Sequence, residues 1–333
     1  MENKILPIRV DELRENDFLV APETLPSGEK NNMTLNILQE FLKLPQLDDN
    51  IYLRYISDAV FTQLKERAPS LKGRIKNWRR HNTVPLWVIQ KYPGVLNNEE
   101  LSQCKIGTYS STIELPVSIP LNKDLCRLLG WYASEGTARK YGLIFSFGTH
   151  ETEFIDEVAV CMEKIFNVSV KEYVKGTATQ LEAKSKLLSL LFTQVLGAGR
   201  TAKHKRVPRI IFNVPKNLKI QFLHTYLHGD GSFSIKENPG RMPTITLGSS
   251  SANPELTNDI ISLCLFVGVH ANYQEEIVKA HKIAATGQML PESFSTKAAI
   301  RNPEAAQQLL FIENIPERGA TKGPIEDLFP YPR

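Results

Sequence analysis

Two carboxylates stand out by their placement. Glu135 closes the apolar run LLGWYASEG (128–136) and Asp230 closes LHTYLHGDG (223–231), each directly before a glycine. Both runs have helical patterning and carry small residues: Gly130, Ala133, Ser134 and Gly136 in the first, Thr225, Gly229 and Gly231 in the second. Small residues let two helices approach with backbones nearly touching, and the closing glycine is expected to break each helix at its C-terminal end. Packed side by side, the two helices would bring Glu135 and Asp230 together. That arrangement is disfavoured twice, by mutual repulsion and by the negative ends of two helix dipoles. A divalent cation relieves both penalties, and hard oxygen ligands suit Mg2+. Metal next to basic surfaces can activate a water and stabilise a leaving oxygen, which is phosphodiester chemistry.

An internal repeat supplies the elements that must hold these acids. After LCRLLGWYASEG (125–136) come two β-like stretches, Tyr141 to Phe147 the clearer, then the helix HETEFIDEVAVCMEKIF. The strands VSVKEYV and ATQLEAK follow, and the helix KLLSLLFTQVLG closes the unit. The same order recurs after FLHTYLHGDG: strands SFSIK and TITLGS, helix PELTNDIISLCLFVG, strands HANYQEEIV and SFSTKAAI, and a closing helix PEAAQQLLFIENI. Two αββαββα units in tandem imply an α/β (α+β) protein with two sheets related by pseudo-twofold symmetry. The units are expected over 118–213 and 214–333.

Upstream, residues 1–25 read as two short strands around a polar turn. Residues 26–117 read as a basic helical module. Thr34 can cap a helix bearing Leu35, Leu38, Phe41 and Leu42, and Ile51 to Arg67 continues the helical pattern. Leu71, Ile75 and Trp78 lie on a second amphipathic stretch, a turn at 81–83 follows, and Pro85 is placed to open the next helix. Two short helices about a tight turn predict a helix-turn-helix-like module, with Lys72, Arg74, Lys76, Arg79 and Arg80 toward DNA.

Charge points the same way. The chain has a net charge of +4, yet residues 51–95 hold nine Lys/Arg against two acids, and residues 200–219 hold seven Lys/Arg and none. The remainder is acidic. Two concentrated basic stretches on an acidic body suit a polyanion, whose counterions are released on binding. In the second stretch Lys203, His204, Lys205, Arg206 and Arg209 are the candidate contacts.

With these residues in hand, LLGWYASEG and LHTYLHGDG resemble the paired motifs of the LAGLIDADG homing endonucleases, in the dodecapeptide, intein-type subclass. KRVPRIIFNVPKNLKIQFLHTYLHGDGSF resembles the same subclass, and the likeness covers roughly 118–313. It implies two units forming a saddle over double-stranded DNA in a pseudo-symmetric monomer. Glu135 and Asp230 would be the metal-binding catalytic acids, and the carbonyls of Ser134 and Gly229 further ligands. Lysines on the last strand of each unit would stand near the phosphates, with Lys184 and Lys297 the candidates and Lys186 and Arg301 the alternates. His228 replaces an acid and Thr225 a glycine of the usual pattern, so a looser helix interface is expected. VDELRENDFLVAP resembles the segment leading from an intein splicing domain. No nucleophile opens the chain and FPYPR lacks the His-Asn pair, so self-splicing is not expected.

With 333 residues, 42% hydrophobic and 23% charged, composition excludes a disordered chain. The longest apolar run is about half of the roughly 20 residues of a membrane span, and the Met-Glu-Asn-Lys start lacks a signal-peptide pattern. Cysteines 104, 126, 161 and 264 show no metal spacing and are expected as buried thiols in a reducing cytosol, with no disulfide partner. His224 and His228 have an i, i+4 zinc spacing but no third ligand. The reading is a cytoplasmic, nucleoid-associated site-specific DNA endonuclease. Its rivals are a non-cutting DNA-binding regulator and an RNA-splicing maturase on the same scaffold.

Overall fold

The structure, a computed structural model, describes residues 33–109, 111–234, 244–249, 253–282 and 289–300, together with 9–12, 14, 287 and 309. The strands expected over 1–25 lie outside these residues, apart from a 3-10 turn at Val10–Glu12. So do Arg301 and the closing helix of the second unit, except Leu309.

The first segment contains β1 (Thr34–Asn36), α1 (Ile37–Leu42), β2 (Ile51–Arg54), α2 (Asp58–Arg67), α3 (Lys72–Arg80), β3 (Thr83–Pro85), α4 (Leu86–Lys91), α5 (Asn98–Gln103), β4 (Lys105–Thr108), β5 (Glu114–Pro116) and β6 (Ser118–Pro120). This corrects the all-helical reading. A four-stranded antiparallel sheet, ordered β3-β2-β4-β5, underlies the helices. Ile51 and Leu53 alternate with half-buried Tyr52 and Arg54, a period of two that belongs to a strand rather than to the start of α2. The expected turn is present at His81 and Asn82, but it leads into β3, paired with β2 through Val84 opposite Leu53, so α3 and α4 flank a strand and form no helix-turn-helix. Trp78 packs edge-on against Trp87 at 6.1 Å between ring centroids, fixing α3 to α4. β1 pairs with β6, so the segment closes on itself where the first repeat begins.

Within the described residues the repeat follows the expected order, with one added pair of short strands in the second unit. The first unit runs α6 (Lys123–Glu135), β7 (Gly136–Arg139), β8 (Gly142–Gly148), α7 (Thr152–Phe166), β9 (Lys171–Lys175), β10 (Ala178–Ala183) and α8 (Lys186–Leu190). The second runs α9 (Lys216–Asp230), β11 (Gly231–Ser234), β12 (Thr244–Ser249), α10 (Pro254–Phe266), β13 (Asn272–Val278), β14 (His281–Lys282), β15 (Met289–Leu290) and β16 (Ser293–Ile300). Their sheets have matching orders, β7-β8-β10-β9 and β11-β12-β16-β13. Each sheet has one face on the helices: Phe145, Phe147 and Leu181 are buried in the first, Ile245, Leu247 and Ala298 in the second. The outermost strands β9 and β13 are exposed along nearly their whole lengths. The first unit also carries the N-terminal segment, through Lys186 paired with Asp48 at 2.5 Å.

α6 and α9 pack against each other between the sheets, and equivalent positions of the repeat meet at two levels. At the first, Gly130 faces Thr225, whose hydroxyl donates to the Arg127 carbonyl at 2.9 Å. At the second, Ser134 faces Gly229. Each level pairs one glycine with one hydroxyl residue, so Thr225 tightens the interface that it was expected to loosen. A Cβ at Gly130 would overlap Thr225 Oγ1 and the Phe222 carbonyl oxygen. By contrast, a Cβ at Gly73, exposed within α3, would meet nothing within 4 Å, and glycine inside a helix costs roughly 0.5–1 kcal/mol relative to alanine. Gly130→Ala is therefore expected to lower unfolding stability by about 1–3 kcal/mol, and Gly73→Ala to raise it, as read by urea denaturation. Equal effects of one sign would contradict this packing.

Candidate functional site

The last turns of α6 and α9 finish at one level. A Cβ built on Gly229 would lie 2.9 Å from Glu135 Oε1, and it would overlap the Ser134 side chain. Glu135 and Asp230 therefore stand together across a contact that no larger residue at 229 permits. Gly136 and Gly231, which follow them, are extended rather than left-handed, with φ of −81° and −101°. Glycine is needed there for another reason. A Cβ at Gly136 would press on the Tyr132 carbonyl, and one at Gly231 on that of Leu227. Both helices thus turn directly into the first strands of their sheets.

Lys205 completes the site. It was expected on DNA phosphates, but it is 4% exposed, and its Nζ donates to the Ser134 carbonyl at 2.5 Å. Residues 196–215 form a strap that delivers it. Tyr132 Oη donates to the Gly199 carbonyl at 2.7 Å, and the Asn253 amide donates to the carbonyls of Ala202 and Lys205 at 2.8 and 3.0 Å. Arg206 is held outside by Asp259 and Glu255, with its shortest contact at 2.6 Å. Lys203 and His204 lie exposed in a 3-10 turn, and the chain becomes extended at Lys205, so that Lys205 and Val207 point inward with Arg206 outward between them.

Electrostatics couple the three groups. Burial, and then the charge of Asp230, push Glu135 up to about 7 against the opposing pull of Lys205. Burial pushes Asp230 up to about 6, again opposed by Lys205. Lys205 is pushed down to about 8 by burial, against both acids. The carboxylates share one environment and titrate as a pair.

A pH dependence follows. The Asp230 carboxyl, ordinarily near 3.8, titrates near 6 when folded. A raised folded value means that its contribution to stability is complete below 3.8 and is lost as pH rises through 6. Glu135 acts likewise between 4.5 and about 7. In EDTA, Asp230→Asn is therefore expected to exceed the unsubstituted protein in stability by on the order of 2–3 kcal/mol at pH 7.5, with little difference at pH 4. A variant no more stable at pH 7.5 than at pH 4, relative to the parent, would contradict the paired site.

The other expected residues scatter. Lys184 lies beyond the end of β10, is exposed, and pairs with Glu182 at 3.5 Å. Lys297 lies on β16 opposite Gly248 and pairs with Glu276. By register, the residue equivalent to Lys297 is Gln180, opposite Ser146 on β8, and not Lys184. The Cβ position of Gly248 is 3.8 Å from Lys297 Cγ and 3.5 Å from the Asp230 carbonyl oxygen, so only a glycine separates Lys297 from the acid-bearing turn. Lys186 is committed to Asp48. Arg79 is held by both carboxylate oxygens of Asp58, each at 2.7 Å, and His204 contacts Thr201 at 3.0 Å. Lys72, Arg74, Lys76, Arg80, Lys203 and Arg209 are exposed, and none has an acidic partner within 4 Å among the described residues. All four cysteines are free and buried. His224 and His228 stack edge to face at 4.5 Å, with His224 Nδ1 at 3.0 Å from the Leu309 carbonyl, and burial lowers them to about 3 and 4.

Among the described residues no three His, Cys, Asp or Glu converge on one point. What the site offers is two half-buried carboxylates with backbone carbonyls beside them. That donor set is all hard oxygen, and it lacks the nitrogen and sulfur ligands that favour zinc. Its surplus negative charge, only partly offset by Lys205, is the condition a divalent cation satisfies.

Comparison with known proteins gives three kinds of result. No family model matches the chain. A DNA polymerase II large subunit of Thermococcus kodakarensis is 30% identical over 269 residues, which is 79% of this chain and 14% of that subunit. An uncharacterized protein of Methanocaldococcus jannaschii is 23% identical over 83% of this chain and 31% of its own length. A probable translation initiation factor IF-2 of T. kodakarensis is 22% identical over 79% of this chain and 22% of its own. The chain thus spans less than a third of each of these relatives. Among solved structures, the homing endonuclease I-DmoI aligns over 58% of this chain and 98% of its own, at 13% identity and a TM-score of 0.39. The N-terminal LAGLIDADG domain of DUF199/WhiA aligns over 59% and 84%, at 14% identity and 0.36. No described helix is long and apolar enough to cross a membrane.

Proposed function

We propose that this chain is a site-specific DNA endonuclease of the LAGLIDADG type, which hydrolyses both strands of one long asymmetric duplex site. The observation that carries this reading is the meeting of Glu135 and Asp230 at the packed, half-buried ends of two helices from equivalent points of a repeat, with Lys205 beside them. One chain supplies both acids, so a monomer suffices. The two exposed outer strands suit the walls of a DNA saddle, with side chains reaching base edges in the major groove. The relatives support the reading in another way. One segment recurs as a small fraction of proteins with unrelated names, the pattern of an element inserted into hosts and not of a polymerase part.

Glu135 and Asp230, with the carbonyls of Ser134 and Gly229, would hold Mg2+. When bound, the metal would activate a water and stabilise the leaving oxygen. The protein's own groups do the rest. Burial removes water from the carboxylates and strengthens their field, and the tight helix contact fixes their separation. Lys205, and not Lys184, would place a positive charge beside the reacting phosphate. Lys297, behind Gly248, would serve the second unit. Lys72, Arg74, Lys76, Lys203 and Arg209 would grip phosphates, with Arg80 against the duplex beside them.

The test is incubation with a pooled genomic and random duplex library in Mg2+, with cut ends mapped by sequencing and Asp230→Asn run in parallel. A dominant cut absent from the variant is expected. A duplex that is bound tightly and never cut would replace this reading with that of a regulator, and preference for folded intron RNA would replace it with that of a maturase.

A further inference from the structure

Resting on the DNA-binding reading, we propose that α3 is a base-reading helix that enters the major groove beside the saddle and lengthens the recognised site at the first unit's end only. Gly73 is the first sign of it. It is exposed in the first turn of a nine-residue helix, its φ is not left-handed, and a Cβ there would touch nothing in the chain. Neither backbone conformation nor internal packing calls for glycine, which weakens the helix. Close approach of another molecule to the helix backbone does call for it.

The surrounding face identifies that molecule. At 100° per residue, Lys76, Asn77 and Arg80 lie within about 60° of Gly73, and all are exposed. Lys72 and Arg74 border them, and α3 contains no acid. Arginine and asparagine form paired hydrogen bonds to guanine and adenine edges, whereas flanking lysines suit phosphates. The opposite face is anchored: Ile75 and Trp78 are buried, Trp78 lies against Trp87, and Arg79 is held by Asp58 on α2. A rigid helix with a bare stretch of backbone among Asn, Arg and Lys fits the major groove of duplex DNA. The segment that carries it is fastened to the first unit by the Lys186–Asp48 pair. No counterpart is joined to the second unit among the described residues, so the extension is one-sided.

The test is selection from a random duplex pool by the full chain in EDTA, comparing the parent with Gly73→Leu and Asn77→Ala. The parent is expected to enrich a site with a core and one extra flank. Both variants should enrich the core without the flank, bind the full site about 10–100-fold more weakly, and match the parent on a duplex trimmed of the flank. Gly73→Leu should fold with an undiminished melting temperature. If the parent enriches such a site and both variants enrich it equally, the inference fails while the endonuclease reading stands. If the parent enriches no duplex, or enriches only from an RNA pool, both fail.

Discussion

Asp230→Asn is expected to leave duplex binding within about twofold of the parent and to lower cleavage by at least a thousandfold, about 4 kcal/mol of transition-state stabilisation. The substitution keeps the shape of the side chain and removes one of the two charges that a shared cation would require. Its effect on the fold has the opposite sign. Asp230 is pushed up to about 6 and Glu135 to about 7 because burial and proximity make their ionised forms costly. Removing one acid is therefore expected to stabilise the metal-free protein while silencing it. Loss of cleavage together with a gain in stability would be hard to obtain from a merely misfolded variant. The measurement is plasmid linearisation at the selected site, alongside urea unfolding in EDTA. Cleavage within tenfold of the parent would remove Asp230 from the centre.

Lys205→Met carries the second largest effect. Methionine retains much of the aliphatic stem and lacks the ammonium that donates to the Ser134 carbonyl. Cleavage should fall on the order of a hundredfold, about 2.7 kcal/mol, with little change in duplex affinity, because a residue 4% exposed is no phosphate grip. Lys203→Ala and Arg209→Ala should do the reverse, weakening binding and reducing its salt dependence while the rate at saturating duplex holds. A second readout separates chemistry from packing. Lys205 is the cation that partly offsets the paired acids, so its loss should destabilise the metal-free protein most above pH 7, and Mg2+ should restore part of the difference. Equal destabilisation at pH 5 and pH 8, untouched by Mg2+, would make Lys205 a packing residue only.

The acids were legible in the sequence because their signal is local. An apolar helical run, small residues at its interface positions and an acid before glycine all lie within about a dozen residues, and the repeat says that the two copies must meet. The long helices and strands of both units were legible from the same periodicities. What escaped depends on distant pairing. β2, β4 and β5 have three or four residues each, and Ile51–Arg54 becomes a strand through partners at 105–108, far along the chain. Beside the clear helical pattern of α2, its alternation was absorbed into the helix. Lys184 and Gln180 differ by four positions, and only the register against β8 shows that Gln180 is the equivalent of Lys297. Lys205 was hidden among like charges. A basic run reads as one solvated face, yet this strap points one lysine inward, fixes Arg206 on Asp259 and leaves Lys203 outside.

Mn2+ binding to the protein–duplex complex at pH 7.5, followed by electron paramagnetic resonance, tests most directly whether Glu135 and Asp230 form one metal centre. The unsubstituted chain is expected to hold Mn2+, and Glu135→Gln and Asp230→Asn are each expected to lose it while still binding the duplex. Undiminished Mn2+ binding in both variants would contradict the shared centre.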